Sequence, residues 1–200
     1  MAVALKANAL ITAVELDQFL RITIGDADTS NTLINTASDF IDRFANRSFI
    51  KATYTAEEYD GDGQNNIYLK NYPIVTGTVT VVLYDTYTAA ILQTYTLNVD
   101  YLIYLKEGYI YMRGKTAPGH KNYRVTYDAG YLIADIPYDL KNACAQLAGL
   151  VYNNSGTSGA KSETIGKYSI AYEKSDVSIN SIPVPADIAG VIAQYRRFNV

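Results

Sequence analysis

The residues best placed to do chemistry are few, and they stand apart from one another. Asp60-Gly-Asp-Gly-Gln-Asn-Asn66 opens like a calcium loop, with Asp at the first and third positions and Gln at the fifth. The rest of the pattern fails. The sixth position is Asn65 where the loop needs Gly, the twelfth is Asn71 where it needs a bidentate Glu, and the flanks read as strands rather than helices. A turn between two strands is the expected role. His120, the single histidine, sits in Ala117-Pro-Gly-His-Lys121 and is expected in an exposed turn with no nucleophile beside it. Glu57 and Glu58 are adjacent, and neighbouring residues of a strand point to opposite faces, so the two carboxylates are not expected to share a site. The single cysteine, Cys144, falls on the apolar face of a helix and reads as a small core residue.

The recognisable reaction motifs are missing. The chain has no Gly-x-Ser-x-Gly elbow and no phosphate-binding loop, and Gly61-Asp-Gly63 lacks the third glycine and following helix of a dinucleotide fingerprint. One His and one Cys cannot supply a structural zinc site or a disulfide framework. The expectation is therefore a protein without catalytic residues, metal or cofactor.

Composition points to contact instead of reaction. The 200 residues include 19 Tyr, no Trp and 5 Phe, and only 18% are charged. Tyrosine offers large amphipathic area at low rotamer cost, so a Tyr-rich, charge-poor exterior suits a protein that touches something large. The plainer alternative is that Tyr fills half-buried sheet positions. Net charge is −3, with 17 Lys and Arg against 20 Asp and Glu and only Arg196-Arg197 adjacent, which argues against a nucleic-acid-binding stripe. No apolar run approaches the roughly 20 residues of a membrane span. The opening Met1-Ala-Val-Ala-Leu-Lys6 does not read as a secretory signal, so folding in a reducing cytoplasm is expected. A chain of this length can bury about 70% of its surface, enough for a core without staples.

These residues are carried by two kinds of element. Thr12-Ala-Val-Glu15 is a capping box opening a short helix, with Val14, Leu16, Phe19 and Leu20 at helical spacing and Gly25 as its expected stop. A second helix is predicted from Asp28-Thr29, with Leu33, Ile34, Ala37, Phe40, Ile41 and Phe44 on one face. From Phe49 the pattern becomes β-branched and aromatic, about seven short runs separated by turn residues such as Asn98-Val-Asp100 and Glu107-Gly108. Helical spacing returns after Ile136-Pro137, with Pro expected at the first helical position and Leu140, Ala143, Cys144, Leu147, Ala148 and Val151 on one face. Asn153 to Gly159 reads as a linker, Lys167 to Tyr172 as a strand, and Ala186 to about Arg197 as a last helix. The expected architecture is α+β. Residues 1–50 and 132–200 form a helical core of about four helices with a loop or arm at 154–183. Residues 51–131 form an inserted antiparallel sandwich or barrel-like domain.

Five segments in this order resemble the head–tail connector (adaptor) proteins of tailed bacteriophages and related gene-transfer particles. They are Leu10–Leu20, Leu33–Ile41 leading to Ala45-Asn-Arg-Ser-Phe49, and Glu58–Gly61 with Ile67–Ile74. Val125–Tyr131 running into Ile136–Lys141 follows, then Ile165–Ile170 with Ile188–Arg197. The stretch from about 75 to 122 departs most from the family's pattern, in length and in Tyr content. The resemblance implies a structural virion protein in the neck, a ring of about twelve copies between the portal protein and the stopper or tail-tube proteins. DNA would pass through its lumen without specific binding, which the acidic balance suits because a conduit should not hold phosphates. Carboxyl-terminal segments of the family commonly reach the portal, so Gln194, Tyr195, Arg196, Arg197 and Phe198 are the candidate portal contacts. Asp60, Asp62, Lys167, Tyr168 and Tyr172 are candidates for contact with neighbouring subunits or other partners. Two other readings stay open: a different tail or baseplate component, and a carbohydrate-binding module using Tyr platforms.

Overall fold

The computed structural model describes residues 2–21, 23–75, 79–154, 162–165, 168–171 and 177–197, and only the backbone of 162–165 and 168–171. In chain order the elements are α1 (Ala13–Leu20), α2 (Ala27–Ala45), β1 (Ala52–Gly61), β2 (Asn66–Tyr68), β3 (Thr80–Tyr84), β4 (Ile91–Tyr95), β5 (Tyr101–Tyr104), β6 (Tyr109–Met112) and β7 (Gly119–Ala129). A 3-10 turn at Ile133–Asp135 precedes α3 (Tyr138–Asn154). Then come β8 (Ser162–Ile165), β9 (Tyr168–Ala171), β10 (Ser178–Ile179), β11 (Ile182–Pro183) and α4 (Ala186–Gln194). Four helices with antiparallel sheets make the chain α+β. By internal contacts it divides into a helical unit, 1–47 with 133–197, and a β unit beginning at 48 and running to 132.

In the helical unit, α3 packs against α1, α2 and α4. The capping box of α1 is formed: Glu15 N–H donates to Thr12 Oγ1 at 3.2 Å, and Thr12 N–H donates back to Glu15 Oε2 at 2.7 Å. The helix stops at Leu20 with Arg21 in the left-handed region, four residues before the expected Gly25, and Val14 faces outward while Leu16 is buried. The second helix begins one cap earlier than predicted. Asp26 accepts from the N–H groups of both Asp28 and Thr29, leaving Asp28 as an acid in the first turn, where the helix dipole also favours it. Leu33, Ile34, Ala37, Phe40 and Ile41 are buried as expected, and Phe44 is half-buried. Pro137 precedes α3 rather than entering it; its carbonyl accepts from Lys141 N–H at 3.1 Å. Cys144 is fully buried beside Ser38 (Sγ to Oγ 3.6 Å), and burial pushes its thiol pKa up to about 12, which leaves it inert. The last helix ends at Gln194, short of the predicted Arg197. Residues 155–160, most of the predicted linker, lie outside the described residues, as do Lys167 and Tyr172 at the ends of the predicted strand. What is described there is β9 paired with β8 in a hairpin whose first strand the sequence did not predict.

The β unit is two antiparallel sheets, in order β1-β7-β3-β4 and β2-β6-β5. Their facing sides share one core: Tyr59, Val81, Tyr123, Val125 and Tyr127 from the first sheet, Ile67, Tyr101, Ile110 and Met112 from the second. Four of the tyrosines are therefore core residues, and their hydroxyls are satisfied inside. Tyr101 donates to the Val79 carbonyl at 2.9 Å and Tyr123 accepts from Ala117 N–H at 2.9 Å. These four are buried outright, deeper than the half-buried sheet positions expected for Tyr, and the contact reading must rest on the others.

Candidate contact surfaces

One register shift decides where the carboxylates point. Tyr54 pairs with Tyr127 but Glu57 pairs with Val125, so Thr55 and Ala56 together oppose Thr126. Ala56 takes a positive φ of 51° at this bulge, and its N–H donates to Thr126 Oγ1 at 2.9 Å. The extra residue turns Glu57 and Tyr59 inward, on the side of Tyr127, and leaves Glu58 outside. Glu57 Oε2 then accepts from Tyr59 Oη at 2.5 Å and Tyr127 Oη at 2.6 Å, while Oε1 lies 3.0 Å from Lys70 Nζ. Burial pushes the Glu57 pKa up, but the hydrogen bonds from the two phenols and Lys70 outweigh it, and the net shift is downward. Burial raises the pKa of both phenols, reinforced by Tyr127 and Glu57 for Tyr59 and by Glu57 for Tyr127, whose bond from Tyr59 works the other way; both remain donors. Glu58 pairs outside with Lys121 at 3.6 Å and Arg124 at 3.5 Å. The two glutamates sit on opposite faces as expected, and Glu57 is held as a structural ion rather than poised as an acid or base.

The calcium-like segment is likewise used for folding. Asp60 and Gly61 belong to β1, and the turn follows them. Asp60 Oδ1 accepts from Lys121 N–H at 2.6 Å and lies 3.0 Å from His120 Nδ1; the Lys121 amide is the main cause of its lowered pKa. Asp62 Oδ1 accepts from Gln64 N–H at 2.8 Å and the Thr116 hydroxyl at 3.2 Å. Among the described residues no group of His, Cys, Asp and Glu is placed to hold a metal ion. His120 is exposed, but it lies in β7 rather than in a turn.

Three exposed surfaces are candidates for contact. The first is a tyrosine ladder on the outer face of the three-stranded sheet. Tyr68, Tyr109 and Tyr104 share one rung across β2, β6 and β5, and Asn66, Tyr111 and Leu102 share the next on the same face. Tyr104 and Tyr109 stack at 4.3 Å and 10°, and Tyr68 leans on Tyr109 at 5.6 Å. Strands lie about 4.8 Å apart, so rings stacked across strands stand upright, with their edges and hydroxyls outward. Asn66 Oδ1 is buried there with no hydrogen-bond partner. The signal was present in the sequence: Tyr104 and Tyr109 flank Leu-Lys-Glu-Gly, a hairpin loop that forces them opposite one another.

The second surface is the β3–β4 hairpin. Thr86-Tyr-Thr-Ala-Ala-Ile-Leu-Gln-Thr94 is exposed at every position and carries no charge. Asp85 fixes the tip by accepting from Tyr87 N–H at 2.8 Å, and its N–H donates to the Ala90 carbonyl at 2.9 Å. Tyr87 is 98% exposed, and Ile91 and Leu92 are 60% and 61% exposed. Strand β4 is a sheet edge bulged at Leu92, and it lacks the Lys, Pro or inward-pointing charge that normally protects one.

The third is the end of α4. Gln194 and Arg196 are exposed, whereas Tyr195 and Arg197 are half-buried and anchored. Tyr195 Oη donates to the Asp139 carboxylate at 2.8 Å and Arg197 N–H donates to the Ala45 carbonyl at 2.9 Å. Of the sequence-predicted portal contacts, then, two are anchored within the helical unit, two are free, and Phe198 lies outside the described residues. Tyr168 lies in β9 opposite Ile165. The groove between α3 and α4, lined by Asp139, Gln146, Asp187 and Val191, has a volume near 200 Å³. That is smaller than the roughly 300–1,000 Å³ of ordinary ligand sites.

The described residues form two compact units that leave neutral, apolar area exposed. The chain belongs to the head completion protein family, whose sequence model matches residues 9–198. Among solved structures it is similar to a chain from the neck of an empty gene transfer agent particle computed with sixfold symmetry. The TM-score is 0.55 at 15% identity, covering 100% of this chain and 94% of the other. It is also similar to a chain from the virion of a native gene transfer agent particle, with TM-score 0.52 at 18% identity, covering 98% and 94%. At these identities the likeness is one of fold. No curated protein matches it in sequence. Family and fold together are those of a head–tail structural protein of phage or gene-transfer particles, in line with the connector resemblance.

Proposed function

We propose that the chain is an adaptor that forms a ring in the neck of the particle, between the portal protein and the stopper or tail-tube proteins. The observation that carries this is the family match over residues 9–198, joined to a fold shared end to end with a neck component. A ring of about twelve copies is compatible with sixfold averaging of that neck, because a twelvefold ring contains the sixfold operation. Ring subunits need two different faces, one for each neighbour, and the exposed neutral surfaces of the β unit supply candidates. Each contact is modest, and closure of the ring multiplies it through effective concentration. The exposed residues Gln194 and Arg196 are the portal contacts we favour from the carboxyl-terminal set; Asp60 and Asp62 are held locally and offer their exposed edges to a partner. DNA passes the lumen without specific binding, in keeping with a net charge of −3.

Upright rings speak against the carbohydrate reading, because sugars stack on open aromatic faces and here two of the faces are turned on one another. The test is co-purification of the full chain with its cognate portal at physiological salt, followed by electron microscopy. The chain alone is expected to be monomeric or weakly oligomeric and to join the portal ring stoichiometrically. No association with the portal overturns the adaptor reading.

A further inference from the structure

We infer that neighbouring subunits of the ring are joined by the β3–β4 hairpin of one copy seated on the tyrosine ladder of the next. This rests on the ring reading above and names its subunit interface. A closed ring of identical chains pairs two unlike patches of the same chain. The β unit offers such a pair. One is a protruding hairpin, nine residues long, fully exposed and uncharged at 86–94. The other is a face of Tyr68, Tyr104, Tyr111 and Leu102, likewise uncharged, on which Tyr104 is stacked against Tyr109.

Size sets the extent of the contact. Tyr68, Tyr104 and Tyr111 are 43%, 40% and 37% exposed. With Leu102 they offer on the order of 300 Å², so the ladder receives one face of the hairpin and supplies part of the roughly 800 Å² per partner of a standard interface. Chemistry supports the match. The hairpin brings Thr86, Thr88 and the free backbone groups of an edge strand, which are the donors that outward phenol oxygens and the unpartnered Asn66 Oδ1 can use. Apolar Ile91 and Leu92 supply the area that a tyrosine surface packs well against. Both patches are neutral, so they approach without repulsion, whereas a phosphate backbone would find no cation on either.

The experiment is cysteine cross-linking of full-length chain assembled on its portal. Cys144 is buried with a raised thiol pKa and does not interfere. A chain carrying both Tyr87→Cys and Tyr104→Cys is expected to give, under mild oxidation, a covalent ladder of multimers, while each single variant gives no multimers beyond dimer. Ile91→Lys, at a position open to solvent, is expected to melt like the unsubstituted chain and to weaken ring formation about tenfold or more, because the apolar area of Ile91 is lost and an ammonium must shed water to be covered. Rings that form on the portal without the covalent ladder, and with Ile91→Lys assembling normally, overturn this interface and leave the adaptor reading standing. Loss of glycan binding on Tyr104→Ala with unchanged rings also overturns it, by assigning the ladder to sugars. Absence of rings from the unsubstituted chain removes the adaptor reading and this interface with it.

Discussion

Replacing Glu57 tests the idea that this carboxylate is structural, and it does so with a control one residue away. Glu57 accepts two phenol hydrogen bonds, at 2.5 and 2.6 Å, and an ammonium at 3.0 Å, on a side chain that is 18% exposed. Hydrogen bonds to a charged group contribute about 1.5–3 kcal/mol each, and here the phenols keep secondary partners in Lys70 N–H and Asn71 N–H. A net loss of about 3 kcal/mol for Glu57→Ala follows, a Tm drop of about 6–12 °C for a chain of this size. Glu58→Ala removes only exposed pairs at 3.5 and 3.6 Å and is expected to cost less than about 1 kcal/mol. The pH dependence adds a second check. The native pKa of Glu57 lies below its unfolded value of about 4.3, so the native state binds its proton less readily than the unfolded chain does. The stabilisation is complete above the unfolded pKa and is lost as pH falls through the native one. Glu57→Gln imitates the protonated acid, so the gap between it and the unsubstituted chain is expected to be full at pH 6–7 and to shrink as pH falls below the unfolded value of about 4.3. Thermal melts by circular dichroism across that range measure both. Equal melting of Glu57→Ala and Glu58→Ala, or a gap to Glu57→Gln that ignores pH, would refute the reasoning.

Two further substitutions probe other parts of the fold. Tyr195→Phe removes the hydrogen bond to Asp139 and is expected to lower stability by about 1 kcal/mol, whereas Arg196→Glu leaves the melt unchanged and weakens portal co-purification; the reverse pattern would move the portal contact off the end of α4. Gly61→Ala would set a Cβ 1.9 Å from the Ala117 carbonyl oxygen, in backbone that cannot give way without breaking the Gly61 N–H bond to Asn122 Oδ1. A loss of about 3 kcal/mol or more is expected by chemical denaturation, with reduced soluble yield.

How far the sequence could be read depended on whether local chemistry or pairing decided the outcome. The capping box at Thr12 was legible because both partners lie within four residues, and the buried face of α2 because its spacing is long and regular. The cap of α2 was misplaced by two residues. Asp26 and Asp28 are both chemically suited to a helix start, and only the reach of Asp26 to two amides separates them. The bulge at Ala56 had no local signal at all, since neither Thr55 nor Ala56 prefers positive φ; pairing with β7 imposes it. That single residue determines which glutamate is buried. The outer position of the ladder likewise depends on the register of three strands, although the Tyr104–Tyr109 hairpin alone could have paired two of its members.

A high tyrosine count turns out to be a poor measure of contact surface. Tyr59, Tyr101, Tyr123 and Tyr127 are core residues, and their count carries no information about partners. The sharper marker is what the exterior omits. An edge strand with four exposed residues and no charge invites pairing with other chains, and proteins that stay single normally place a lysine or proline there. Keeping β4 bare is a hazard before assembly and an advantage within it. The hairpin interface accordingly carries a trade-off: Ile91→Lys, which weakens ring formation, should also raise the concentration at which the free chain stays soluble. Neutral solubility with lost assembly would separate the interface from the edge hazard. A gain in solubility with assembly intact would mean that β4 is merely unprotected, and that the neighbour sits elsewhere.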